Sequence, residues 1–421
     1  MKIGSLFSTS VELTGFFLLI VLLAAPMAGA QEMDLPAGVP DRVAPESDAL
    51  GIGLGGFTAY PKLGLSTAYD SNIFAIDSQV ESDARFVIDP SFAVESNWSS
   101  NELSLGGFLS SSLLADNTTE DKLDWGFGTS GQLDVLEGSN VKGMLGYQDL
   151  TEDRGGIDAV DVSKPVEYGH LQAGLVVNHR INQLTLSGGA DFQRFDYDPS
   201  SQKFRDRDLW TATGQGGYTF SPGYSGFFRG EFSDRNFQNL ANPLPLPAPP
   251  NSRVSQDSQG YELVVGVASE ITNLISGEAS IGYFDQNYDS SALKDVSGVS
   301  FRVDLDWEVT KMTSLRLTTS RDVVDSTNAG SGGILYTNAG FGVDHELTPE
   351  ANLKFDFGFY NGDYKGIDRE DDGFRVSLGA DYRMSRFVHL DLLYSFEDRD
   401  SNVAGQDFTR HQVSFGVRLQ Y

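Results

Sequence analysis

The feature that most constrains the fold is an alternation of apolar and polar residues that begins at Phe57 and continues to the C-terminus. Successive side chains of a β-strand point to opposite faces, so a period of two predicts strands with one apolar face. The clearest example is 299–309, VSFRVDLDWEV, in which valine, phenylalanine, leucine and tryptophan occupy every odd position. The segments 353–360 and 374–384 repeat this pattern, and no comparable helical period follows the first thirty residues.

Eighteen such segments can be counted, although sixteen strands would also fit the pattern. The predicted strands are 57–70, 84–97, 102–114, 122–135, 140–149, 165–180, 183–197, 205–220, 224–236, 255–271, 274–288, 295–309, 313–324, 333–347, 352–364, 369–384, 387–398 and 406–421.

The connections between these segments alternate between short turns and longer, acidic loops. SPG and MSR are typical of the short set, and TEDRGGIDAVDVSK and KGIDRED are typical of the long set. Short turns at one end and long loops at the other indicate an all-β, up-and-down antiparallel barrel of the bacterial outer membrane. With an even number of strands, both termini lie at the short-turn, periplasmic end.

The main alternative is a secreted β-propeller or a stack of β-sandwiches, which also contain many strands. Strands of about 10–16 residues suit a tilted bilayer crossing, whereas strands of globular proteins average about 5–6 residues. The length of the segments therefore favours the membrane barrel.

The composition excludes several other classes. A net charge of -29 argues against a nucleic-acid partner, and the absence of cysteine rules out a disulfide scaffold. A mean hydropathy of -0.24 does not fit a bundle of membrane helices, and an aromatic content of 11% does not fit an acidic disordered chain.

The N-terminus has the pattern of a targeting segment. Lys2 precedes the apolar run 13–25, and Ala28-Gly29-Ala30 is a small-residue cleavage site. Residues 1–30 are therefore predicted to be a secretory signal peptide, with a single anchoring helix as the alternative. Residues 31–56, which contain three prolines, are predicted to be an extended periplasmic leader, and 57–421 to be the barrel.

The C-terminal sequence HQVSFGVRLQY alternates up to the last residue. It resembles the signal that the outer-membrane barrel assembly machinery reads, which makes that machinery an expected partner. Its signal residues would be Phe415, Val417, Leu419 and Tyr421, with an aromatic side chain at the periplasmic interface.

A family resemblance is carried by two strings at the start of the barrel. The first is Tyr69, Asp70, Ser71, Asn72, Ile73 and Phe74, and the second is VIDPSFAVE at 87–95. Both resemble the opening of the putative β-barrel porin 2 family. The resemblance implies an outer-membrane location and an association with exopolysaccharide export, and it supplies no catalytic residues. Asp70, Ser71 and Asn72 are turn formers, while Tyr69, Ile73 and Phe74 would mark the membrane interface.

The sequence contains no convincing catalytic, cofactor-binding or metal-binding pattern. Five histidines are scattered, and the nearest catalytic candidate is the pair His389 and Asp391 on one strand face. Two polar residues facing the lumen explain that pair better. We therefore predict neither an enzyme nor a cofactor or metal site.

The inward faces of the predicted strands carry charges of both signs. The candidate lumen-lining residues are Arg302, Asp304, Asp306, Arg316, Lys354, Asp356, Arg375, Asp381, Arg383, Asp391 and Arg418. Such charges are tolerated in a water-filled lumen, where they set selectivity. The other interpretation is that ion pairs between strands brace the wall and that the loops close the pore.

The sequence therefore predicts porin-like passage of hydrophilic solutes or of exopolysaccharide. The alternative is a non-conducting structural or adhesion barrel that acts through its acidic loops. Those loops would meet outer-membrane lipid and lipopolysaccharide, and the family resemblance extends the partners to the polysaccharide export machinery. The Pro-rich loop 242–250 would either constrict the lumen or form a rigid surface loop.

Overall fold

The computed structural model describes residues 49–159, 163–240, 254–272 and 274–421. Within these residues the chain forms eighteen long antiparallel strands in a closed barrel, because each strand pairs with its chain neighbours and the last strand pairs with the first. The predicted fold is thus confirmed. The predicted signal peptide, residues 31–48 of the predicted leader and the Pro-rich loop 242–250 lie outside the described residues.

The strands start and stop within about three residues of the predicted positions. They are β1 Phe57–Asp70, β2 Asp83–Ser96, β3 Glu102–Leu114, β4 Lys122–Leu136, β5 Ser139–Thr151, β6 Glu167–Ile181, β7 Leu184–Tyr197, β8 Arg207–Ser221, β9 Tyr224–Phe237, β10 Ser258–Thr272, β11 Ile275–Tyr288, β12 Val296–Thr310, β13 Thr313–Val324, β14 Gly333–Thr348, β15 Ala351–Lys365, β16 Glu370–Ser385, β17 Val388–Ser401 and β18 Phe408–Gln420.

Smaller elements lie at the two ends of the barrel. A two-residue strand, Ile52–Gly53, pairs with Thr58 and Ala59 of β1 at the short-turn end. Two short 3-10 turns, Thr118–Glu120 and Lys203–Arg205, lie in long loops. None of the described residues belongs to a helix that is long and apolar enough to cross a bilayer.

The alternation of the sequence sets the two faces of the wall. On β12, Val299 and Trp307 are nearly half exposed on the outer surface, whereas Ser300 is buried on the inner face. Closure leaves no free strand edge, so the ladders satisfy the backbone groups that would otherwise meet lipid. The outer stripe can therefore be apolar while the inner face is polar.

Nine connections leave the strands at the same end, and we number them L1 to L9; all except L8 are longer than any turn at the other end. They are L1 (71–82), L2 (115–121), L3 (152–166), L4 (198–206), L5 (238–257), L6 (289–295), L7 (325–332), L8 (366–369) and L9 (402–407). The buried apolar clusters of the described residues lie towards this end, where loops meet the inner face.

Candidate functional site: the lumen and loop L3

Loop L3 crosses the lumen. It leaves β5, yet its Ile157 side chain packs in a buried cluster with Ile334 and Tyr336 of β14 and with Tyr360 and Tyr364 of β15. The strand β14 lies nine places from β5 around an eighteen-stranded barrel, which is the opposite wall.

A glycine of β15 makes room for the tip of L3. A Cβ atom added to Gly362 would lie 2.5 Å from Cδ1 of Ile157. A side chain at position 362 would therefore displace the isoleucine, and the absence of one lets L3 dock against the wall.

Two ion pairs hold the beginning of L3 to neighbouring loops. Glu152 pairs with Arg205 of L4 at 2.5 Å, and Arg154 pairs with Glu120 of L2 at 2.7 Å. The guanidinium of Arg205 also lies 4.1 Å from the ring centre of Tyr197. All four charged side chains are buried, so removing one partner would leave an uncompensated charge.

Asp153 connects L3 to the seam where the barrel closes. Its carboxylate lies 3.0 Å from Nη1 of Arg410 on β18, and Arg410 also binds Asp70 on β1 at 2.6 Å. Burial would raise the pKa of Asp153, but the positive charges of Arg410 and Lys122 outweigh it and hold the pKa well below its usual range. Asp153 is therefore ionised throughout the physiological range.

Polar contacts fix the tip of L3 on the far wall. The Tyr364 hydroxyl donates to the carbonyl oxygen of Ile157, and Nη1 of Arg399 donates to that of Gly156 at 3.2 Å. The carboxylate of Asp158 accepts hydrogen bonds from the backbone N–H of Thr327 at 2.6 Å and from its hydroxyl at 2.9 Å. Burial nevertheless raises the pKa of Asp158 to about 6, against the lowering effects of Arg205 and Thr327.

Below L3, most of the candidate lumen residues form ion pairs between neighbouring strands. The pairs are Arg302–Asp322 at 3.3 Å, Arg316–Asp306 at 2.8 Å, Lys354–Asp381 at 2.6 Å, Arg375–Glu397 at 2.9 Å and Arg418–Asp391 at 3.0 Å. Asp304 and Asp356 occupy inner-face positions, and Arg383 donates to the carbonyl of Pro349 at 3.5 Å. Since Asp391 is held by Arg418, the arrangement favours a structural interpretation of the His389 and Asp391 pair.

Exposure changes along the barrel axis. The side chains of Arg418 and Asp391, towards the short-turn end, are each 28% exposed, whereas those of Arg410 and Asp70 beside L3 are 5% and 2% exposed. The inner wall is thus water-accessible below L3 and densely packed around it. The ion pairs that brace neighbouring strands are present, and hydration of the charged wall stays a prediction.

The motif that carried the family resemblance lies at the closing seam. Tyr69 faces outwards and is half exposed, while Asp70 turns inwards to Arg410. The amide of Asn72 donates to the carbonyl oxygens of Ile76 and of Thr409. These contacts draw L1 inwards, so the expectation that Ile73 marks the membrane interface is wrong: its side chain is buried. Phe74 lies 5.9 Å from the guanidinium of Arg154.

The residues that resemble an assembly signal face outwards on β18. Phe415 and Leu419 are exposed, and the exposed ring of Tyr421 stacks on Phe387 at 5.7 Å. Val417 occupies the same alternate face of the strand. Recognition by the assembly machinery stays a prediction.

The sequence patterns do not indicate that L3 crosses the lumen, and the Pro-rich loop 242–250 is the loop for which they offer a constriction or a rigid surface loop. The available signal was an isolated apolar residue, Ile157, after two glycines in a long acidic loop. The described residues contain no group of three or more histidine or acidic side chains placed to hold a metal ion.

Fold and site together define a porin-like β-barrel of the outer-membrane type, a class of channels rather than enzymes. The model of the Putative beta-barrel porin 2 family matches residues 44–421, and the chain belongs to that family. Among curated proteins, none matches the chain.

Several solved barrels are similar in shape with little sequence identity. OpdK of Pseudomonas aeruginosa has 10% identity and a TM-score of 0.46, and the match covers 86% of this chain and 99% of that chain. OpdL of the same species has 11% identity and a TM-score of 0.46, with 87% of this chain and 99% of that chain covered. OccAB4 of Acinetobacter baumannii has 12% identity and a TM-score of 0.45, with 86% of this chain and 98% of that chain covered.

Proposed function

We propose that the protein lies in a bacterial outer membrane and lets small hydrophilic solutes diffuse through its lumen, with L3 as the constriction. The observation that supports this most is the course of L3 from β5 to the opposite wall, above an inner face whose charged side chains are partly exposed. A loop across the lumen reduces the free cross-section and exposes solutes to its polar groups.

Exopolysaccharide is the less favoured cargo. The beginning of L3 is held by buried ion pairs to L2, L4 and β18, and its tip by hydrogen bonds to L7, β15 and β17. A polymer chain would have to displace these contacts along its whole transit, whereas a small solute needs only a gap beside the loop.

A structural or adhesion barrel is the competing function, in which the acidic long loops contact lipopolysaccharide or a surface partner. The two functions differ in one property, which is whether solutes pass. The dense packing around L3 fits a closed barrel, and solute permeability distinguishes the two functions.

The experiment is swelling of liposomes that contain the refolded protein, in arabinose, sucrose and raffinose. We expect swelling that slows steeply with sugar size. Protein that is folded, as judged by heat-modifiable migration, yet gives no swelling with arabinose would overturn the proposed function. Equal swelling with all three sugars would contradict the constriction.

A further inference from the structure

The inner wall of β9 to β11 contains a recess with unsatisfied groups of two kinds. It is an open cavity whose lining includes Glu231, Glu262, Gln286, Arg235 and Asp322. It lies on the lumen side of the wall, away from the contacts of L3 with β14 and β15.

Two carboxylates face each other at the lower end of this recess. Glu231 on β9 and Glu262 on β10 are direct register partners, which places like charges side by side. The neighbouring cations are engaged elsewhere, since Arg229 pairs with Glu278 and Arg302 pairs with Asp322. Among the described residues, no lysine or arginine forms an ion pair with either glutamate, so a cationic group from solution would stabilise them.

Two hydrogen-bond donors without partners lie at the upper end. Within the part of the chain that the structure describes, Nε2 of Gln286 and Nε of Arg235 have no acceptor, although these side chains are only 5% and 8% exposed. Buried donors are rarely left unsatisfied because each costs about 1–3 kcal/mol. They are therefore open to an acceptor that the described residues do not supply.

The position of the Gln286 amide depends on a glycine in the neighbouring strand. Gly260 lies between Ser233 and Gln286 in the sheet register, and a Cβ atom there would be 2.2 Å from Oε1 of Gln286. The absence of a side chain at position 260 therefore leaves space for the amide in this position.

The charge of Arg235 is only partly neutralised. Asp325 of L7 pairs with Arg235 at 3.0 Å and with Arg207 at 2.7 Å, so one carboxylate serves two guanidinium groups. The upper end of the recess thus presents a guanidinium and an amide donor, and the lower end presents two glutamates.

We propose that this recess binds zwitterionic α-amino acids during their passage. The ammonium group would lie between Glu231 and Glu262, and the carboxylate would accept from Arg235 and Gln286. This inference rests on the proposed function, because it names the class of solute that the lumen favours. The recess has opposite charges at its two ends, which distinguishes a zwitterion from a simple cation or anion.

The test is tracer uptake into proteoliposomes with three probes. Alanine carries both charged groups, lactate carries only the carboxylate, and ethanolamine carries only the ammonium group. We expect alanine uptake to saturate and, at low concentration, to exceed that of the other two by about tenfold, as for the loss of a charged hydrogen bond. The double variant Glu231→Gln and Glu262→Gln should remove this preference, while Glu95→Gln on β2 should retain it.

A second variant, Gln286→Leu, keeps the test valid if the double variant does not fold, and it should also lower the alanine preference. Equal entry of the three probes into wild-type vesicles, or an alanine preference that survives in the folded variants, would overturn the inference while leaving the proposed function intact. Entry of none of the probes would instead contradict the proposed function.

Discussion

Arg410 on the last strand and Asp70 on the first form a buried ion pair of 2.6 Å across the seam that closes the barrel. Asp70 is part of the string that resembles the family opening, and Arg410 also binds Asp153 of L3. One guanidinium therefore ties closure of the sheet to the position of the crossing loop.

The first prediction concerns the stability of this seam. Asp70→Asn should lower the free energy of unfolding by about 3 kcal/mol. This is the lower end of the range for breaking a buried ion pair, because Arg410 keeps its ion pair with Asp153. The measurement is urea unfolding in lipid vesicles followed by tryptophan fluorescence and heat-modifiable migration.

The matched control is Arg194→Gln, which breaks the pair Arg194–Asp208 in which Arg194 is 42% exposed. Its effect should stay within about 1 kcal/mol, as for surface pairs. Equal destabilisation by the two variants would contradict a special role for the seam.

The second prediction concerns the docking of the L3 tip. Ile157→Ala should weaken the docked state by about 2–4 kcal/mol, because the buried isoleucine loses its contacts with four aromatic or aliphatic neighbours of the far wall. Proteolysis of intact vesicles would then cleave L3 faster than in the wild type. Leu393→Ala, at a position that is 44% exposed on β17, should leave the cleavage rate unchanged.

The third prediction is a pH dependence. In the docked loop the pKa of Asp158 is raised to about 6, above the value of an exposed aspartate, so the docked state binds the proton more tightly than the undocked state. The stabilisation is present below the lower pKa, about 3.9, and is lost as the pH rises through 6. Lowering the pH from 8 to 5 should therefore slow cleavage of L3.

Asp158→Asn is the control, because an amide does not titrate in this range. The cleavage rate is divided by the rate at which the protease cleaves a standard peptide at the same pH. For this variant the corrected rate should be the same at pH 8 and pH 5. Faster cleavage of wild-type L3 at pH 5 would show that the sign is wrong.

The fourth prediction concerns assembly. Removing Tyr421 eliminates an exposed aromatic side chain at the short-turn interface and its stacking with Phe387. We expect a lower fraction of heat-modifiable barrel in cell membranes. Tyr218→Ala, which removes another exposed aromatic near a short turn, should assemble normally, and a matching defect in both variants would indicate a general interface effect.

The wall could be predicted from the sequence because local rules determine it. The alternation from Val299 to Val309 determines which side chains face lipid. The ion pair between Arg316 and Asp306 forms because the two residues occupy opposite inner-face positions on neighbouring strands. The crossing loop depends instead on contacts between residues far apart in the chain. Ile157 meets Tyr364 only after closure brings β15 opposite β5, and no local pattern encodes that distance. The expectation that Ile73 faces the membrane interface is wrong for the same reason. The hydrogen bond from Asn72 to Thr409, near the other end of the chain, draws L1 inwards.

The most direct test of the central claim is single-channel conductance of the wild type and of a variant that combines Asp153→Asn with Ile157→Ala. These substitutions remove the ion pair of L3 with Arg410 and the packing of the Ile157 side chain on the far wall, while keeping every strand. We predict a small, steady conductance for the wild type and a larger, fluctuating one for the variant. Folded protein with identical currents in both forms, or with no current in either, would contradict the account.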